Sequence, residues 1–270
     1  MAADGVISGA LSVLATSGPT AKVHAARDLA ARWRAGELGV DGDAPPPPDR
    51  PARPPRPVLA APGDMPRRRL GGVGGRIALL HAVAHIEFNA IDLALDLVAR
   101  FTARLPAELD RRALIDEWLC VADDEARHFA MVAGRLSDLG AAYGDLPAHS
   151  GLWDAAYATR RDLAARLAIA PMVLESRGLD VTPGMIEKLE NVGDSTSADV
   201  LRVILAEEIG HVAAGVRWFE RVCAARSRDP KSEFQRLVRT HFAGALKPPF
   251  NEAARAAAGF PREFYATLAA

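Results

Sequence analysis

Cysteine is scarce in this 270-residue chain: Cys120 and Cys223 are its two, and they form no C-x-x-C pair. That argues against a thiolate zinc site, an iron–sulfur cluster and a disulfide scaffold, and it suits a reducing cytoplasm. Charge of either sign in excess is missing too. With 33 basic and 34 acidic residues the net charge is -1, so no bulk attraction pulls the chain towards nucleic acid or anionic lipid. No uninterrupted run of about 18 apolar residues occurs, so no transmembrane helix is expected. The first residues, MAADGVISGALSVLA, lack a basic n-region and are not read as a signal peptide. Sustained period-two alternation rich in Val, Ile and Thr is absent as well, which predicts no strands.

What is present is helical periodicity broken by one unusual stretch. Residues 6 to 36 read as short amphipathic helices interrupted at Ser17-Gly18-Pro19. Residues 41–76 hold 10 of the 19 prolines and a run of arginines. Proline removes backbone donors and fixes an extended chain, so this stretch predicts an irregular, protease-accessible linker or strap. From Ile77 four long periodic segments follow, near 77–102, 110–140, 151–178 and 195–226, divided by Leu105-Pro106, Tyr143–Pro147 and Asp180–Gly184. A short helix is expected near 184–191, and two more segments, 231–243 and 251–269, close the chain. The resulting division is an N-terminal helical segment (1–40), the strap (41–76), a four-helix bundle (77–228) and a C-terminal helical appendage (229–270).

The bundle segments place acids where apolar residues belong. In the second, Leu114, Trp118, Val121, Glu125, Phe129, Val132 and Leu136 share one helical side, with His128 at its edge. The fourth repeats the pattern: Leu201, Leu205, Glu208, Val212, Gly215 and Phe219, with His211 three residues beyond Glu208. This composition supplies roughly 0.4 Glu-x-x-His pairs by chance, and there are two, both mid-helix. On the first segment Glu87 interrupts a face of Ala84, Ile91, Ala94, Leu95 and Val98. On the third, Glu175 follows Leu167, Ala168 and Pro171. Asp92, Asp96, Glu187 and Glu190 face solvent by the same test. An unpaired carboxylate in an apolar interior takes up a proton or finds a cation. One Glu from each of two helices, with Glu-x-x-His from each of the other two, is the donor set of a di-metal carboxylate bundle. Four carboxylates cancel the charge of two divalent cations about 3.5–4 Å apart. Oxygen and imidazole donors without thiolate suit iron or manganese.

With these residues in view the chain resembles the ferritin-like superfamily, and within it a bacterial ferritin-like domain family of unknown function. The stretches that carry the resemblance are LLHAVAHIEFNAIDLALD, VADDEARHFA, YGDLPAHSGLWDA, ESRGLDVTPGM, EEIGHVAAGVRWF and KPPFNEAARAAAGF. The resemblance implies an all-α, ferritin-like four-helix bundle binding metal, and a distant kinship with the di-iron hydroxylase that modifies a tRNA adenosine side chain. The expected site is two Fe ions (Mn or mixed Fe/Mn being alternatives) held by Glu87, Glu125, His128, Glu175, Glu208 and His211.

Within the superfamily, rubrerythrin-type proteins would need paired C-x-x-C motifs. Cage ferritins fit poorly beside such tails. A radical-forming tyrosine of the ribonucleotide reductase kind has no counterpart, since Tyr143, Tyr157 and Tyr265 all lie more than a turn from the proposed ligands in sequence. The expectation is an oxygen-activating oxidase or hydroxylase in the cytoplasm. Its partners would be dioxygen, a small-molecule substrate and an electron-donor protein, with no membrane. An RNA-nucleoside-modifying hydroxylase and a non-catalytic metal-binding module are the alternatives. His81 and His85 read as supports behind the ligands or as structural, His149 and Arg177 as candidates to touch substrate or to hold acids behind the ligands, and Asp124, Glu207 and Asp199 as acceptors for the second N–H of the ligand imidazoles.

Overall fold

The computed structural model describes residues 5–42, 44–61 and 71–269, and every regular element among them is helical. The chain divides into two units, residues 1–104 with 111–153, and residues 105–110 with 154–270.

The first unit contains α1 (Val6–Leu14), α2 (Pro19–Arg34), α3 (Val73–Phe101) and α4 (Arg111–Asp138). Helices α3 and α4 form its main pair, with α1 against α3 and α2 against α4. Pro19 at the first position of α2 suits a helix start, where a backbone N–H would have no partner anyway. The stripe predicted for α4 is buried throughout, from Leu114 to Leu136. Polar ties lock α2 onto α4. Trp33 Nε1 donates to Asp116 Oδ1 (2.6 Å), and Arg27 and Arg34 both pair with Asp123.

Helix α3 departs from the one-sided reading. It is buried on all sides from Leu80 to Ala99, save Ala82 and Ile86. Asp92 and Asp96, expected to face solvent, are both fully buried. The physical reason is a second layer: Asp92 meets Lys22 of α2 at 2.5 Å, and Asp96 takes a bidentate bond from Arg100, one turn on. Glu187 and Glu190 are exposed, as expected. With the 3₁₀ turn after it, α3 is long and apolar enough to cross a membrane, at a mean hydropathy of 1.3. Yet 78% of that window is buried inside the protein.

Residues 44–61 are irregular and firmly tied. Ala52 N donates to Leu14 O (2.8 Å), Arg53 to Asn89 Oδ1 (2.5 Å), Arg100 to Pro48 O (3.0 Å) and Trp153 Nε1 to Asp49 O (2.9 Å). Pro51 and Pro57 are buried. This part of the strap is therefore a brace on α3 rather than a loose tether; the arginine run at 67–69 lies outside the described residues.

The second unit holds α6 (Leu163–Ile169), a π-helical turn (Ala170–Glu175), α7 (Ser176–Asn191), α8 (Ser195–Ala225), α9 (Pro230–His241), α10 (Glu252–Ala257) and α11 (Arg262–Tyr265). Helix α5 (Gly151–Ala158) carries the chain into it. Two expectations fail here. The helix predicted over 151–178 breaks after Ala158, because Asp162 caps a new helix by accepting from Ala164 N (3.1 Å). The turn predicted at Asp180–Gly184 does not exist: α7 runs straight through Pro183. A proline inside a helix leaves the carbonyl four residues back without its donor. That carbonyl, Leu179 O, accepts instead from Asn251 Nδ2 (3.1 Å), and Asp180 accepts from Asn251 N and from Arg255. The C-terminal segment thus supplies what the proline removes. The core of this unit is aromatic, with Phe234 packed against Phe219, Phe260 and Phe264 at centroid distances of 5.3–6.1 Å.

Candidate metal centre

In the first unit, α3 and α4 bring Glu87, Glu125 and His128 together. Their ligand atoms lie within 4.8 Å of one another, and all three residues are buried. His128 Nδ1 stands 3.3 Å from Glu87 Oε2 and 3.6 Å from Glu125 Oε2. The residues that follow Glu87 and His128, Phe88 and Phe129, pack with tilted rings 5.3 Å between centroids and help keep the group dry. Burial alone would lower the His128 pKa, but the Glu125 and Glu87 carboxylates outweigh it and raise it to about 11. Without metal, an imidazolium therefore balances the two acids. A metal ion ligated by this imidazole must displace its proton, so affinity falls as pH falls.

In the second unit, Glu208 and His211 of α8 are buried, with His211 Nδ1 3.4 Å from Glu208 Oε1. Both Glu-x-x-His pairs thus turn the same ring nitrogen towards the acid one turn before it. Glu175 is half-buried and ends the π-helical turn, a feature that periodicity alone did not reveal. Pro171, the second residue of that turn, cannot donate the ordinary helical bond. Ser176 Oγ then covers the carbonyls of Met172 (2.6 Å) and Val173 (3.2 Å). Helix α8 comes so close at Gly215 that an added Cβ would lie 2.5 Å from the Pro171 ring. Only glycine allows this approach, which fixes the turn carrying Glu175 against the helix carrying Glu208 and His211.

The other polar candidates have partners of their own. His81 Nε2 accepts from Gly144 N (2.9 Å), and His85 spans Tyr143 Oη (2.9 Å) and His149 O (3.1 Å). Burial depresses the His85 pKa to about 4 and keeps the ring neutral. His149 Nδ1 accepts from Gly151 N (3.2 Å). Arg177 Nη1 donates to the carbonyls of Lys247 (2.7 Å) and Pro249 (3.2 Å). Asp124 and Asp199 engage Arg127 and Arg202 on their own helices. Tyr143 is the residue that sequence distance concealed. Its loop packs it on Phe88 and Phe129, 5.5 and 5.1 Å between centroids, so it adjoins two of the candidate ligands' neighbours.

The donors fit hard divalent cations: carboxylate oxygens and imidazole nitrogens, all buried but the half-buried Glu175, with no thiolate among them. Comparison with known proteins adds lineage. A family model described as "Protein of unknown function (DUF455)" matches residues 15–266. A Haemophilus influenzae protein described as "Uncharacterized protein" is 42% identical over 210 residues, 77% of this chain and 73% of that protein. No solved structure matches. On the extent of the family match and that identity, the chain belongs to the DUF455 family.

Proposed function

We propose that the chain is a non-haem di-iron (or iron–manganese) carboxylate protein of the ferritin-like kind, an oxygen-activating oxidase or hydroxylase acting on a small substrate in the cytoplasm. The observation that carries this reading is the buried trio Glu87, Glu125 and His128, with donor atoms within 4.8 Å of one another. Glu208 and His211 repeat its spacing and ring orientation. In this reading Glu87, Glu125 and His128 of the first unit, and Glu175, Glu208 and His211 of the second, are the donors for two cations, whose charge four carboxylates cancel. Such a pair, when bound, supplies electrons for the reduction of dioxygen. The chain's own residues do the rest. Their apolar surroundings keep bulk water from the oxidant, and His128 gives up its proton as the metal loads. An electron-donor protein would restore the reduced form.

The test is oxygen uptake by protein loaded with iron(II) without air and then mixed with aerated buffer. Uptake should scale with bound iron and fall to the rate of free iron(II) in Glu87→Ala. A wild-type rate no faster than free iron(II), with a melting point that metal raises strongly, would leave a binding module instead. RNA that copurifies and dissociates steeply with salt would favour the nucleoside-modifying alternative.

A further inference from the structure

A pocket of about 360 Å³ opens in the second unit beside the π-helical turn. That is within the range of small-ligand pockets, roughly 300–1,000 Å³. Its wall is mostly carbon, with Val173 and Leu174 on one element and Leu246 and Phe250 on the C-terminal segment. Three cations, Arg177, Lys247 and Arg255, line it against one carboxylate, Asp180. That carboxylate is already engaged: Oδ1 accepts from Arg255 Nε (2.8 Å) and Asn251 N (2.9 Å), and Oδ2 from Arg255 Nη2 (2.7 Å).

Arg255 is the unusual member. It is 3% exposed, and its guanidinium lies 4.4 Å from the Tyr265 ring centroid and 5.0 Å from that of Phe250. With Nε and Nη2 bound to Asp180, the remaining nitrogen, Nη1, is buried and has no hydrogen-bond partner. A buried donor without an acceptor is costly, and more so when charged. The planar fork of arginine suits a carboxylate, and an apolar wall suits a hydrocarbon body. Lys247 is exposed at the same pocket and adds attraction for an anion.

We propose that this pocket binds a small monocarboxylate with an apolar tail. The carboxylate lies towards Arg255 and Lys247, and the tail lies along Val173, Leu174 and Phe250. Val173 and Leu174 directly precede Glu175, so the ligand is a candidate for the oxidised substrate. That last step rests on the di-metal reading; the binding does not.

Calorimetry on the full chain, stripped of metal with chelator and then reloaded, tests it with three probes: octanoate, octan-1-ol and inorganic phosphate. One octanoate per chain should bind the metal-free protein, with octanol and phosphate at least about tenfold weaker. Lys247→Ala, on an exposed side chain, should weaken octanoate several-fold, and Leu174→Trp should abolish binding by filling the pocket. Arg255 itself is not the variant of choice, because its loss strands Asp180. Equal binding of octanol and octanoate would overturn the proposal, as would indifference to both substitutions. Octanoate binding only when metal is present would place the carboxylate on the cations and overturn it too. Binding to metal-free protein that shows no oxygen chemistry when loaded would uphold the pocket and sink only the oxidase reading.

Discussion

Glu125→Ala is expected to cut bound metal from two ions per chain to one or none, while the metal-free protein melts no lower than wild type. Both halves follow from the same burial. Glu125 is 1% exposed and shares His128 with Glu87, so metal-free wild type holds two carboxylates around one imidazolium. Removing one acid still leaves Glu87 for His128, relieves a carboxylate of its desolvation, and places the best helix former in mid-α4. With metal the order reverses. Ligand that binds only the folded state adds stability as the logarithm of its concentration over Kd, about 4 kcal/mol at a thousandfold excess. Wild type should gain that increment with iron(II), and the variant should lose most of it. Melting curves of both proteins, with chelator and with iron(II), read the four values. A variant that melts far below wild type in chelator would show that Glu125 serves packing rather than metal.

The second large effect lies in the Lys22–Asp92 pair, both fully buried and 2.5 Å apart. Breaking such a pair from one side costs on the order of 3–5 kcal/mol, because it strands a buried charge. Lys22→Met should be destabilised by that order, and Lys22→Met with Asp92→Leu should recover most of it. The pH dependence has a definite sign. Burial pushes Asp92 up to about 6, against the opposing attraction of Lys22. A carboxyl whose folded pKa exceeds its ordinary 3.8 binds its proton more tightly when folded. Its stabilising contribution is therefore full below about 4 and is lost as pH rises to about 6. Protonated Asp92 needs no partner, so the Lys22→Met deficit should shrink between pH 7.5 and pH 5 in urea unfolding. A deficit below about 1 kcal/mol, or one that does not change with pH, would contradict this account of the pair.

The faces of α4 and α8 were legible because each buries one stripe, and a 3.6-residue period marks a stripe whatever covers it. Glu125 and His128 stood out for the same reason. The same test misplaced Asp92 and Asp96. They lie on the side of α3 that the N-terminal helices and the strap cover, and no period within α3 announces a second layer. Lys22 gave no sign of burial either, since its partner is 70 residues away in the chain. Pro183 reads as a breaker in the sequence because the cure for its missing donor, Asn251, sits 68 positions downstream. The π-helical turn escaped notice because Pro171 permits several local outcomes. Gly215 of α8, which admits the proline ring, helps to decide among them. Tyr143 and Arg255 belong to the same class: their surroundings are built from segments that periodicity treats as separate.

Metal content is the most direct measurement of the central claim. Protein produced in iron-fed cells and purified in air should carry two iron or manganese ions per chain. His128→Ala with His211→Ala should lower that to less than one, with the helix content of the chain unchanged. One ion that survives loss of both histidines, or zinc alone at full occupancy, would contradict the di-metal account.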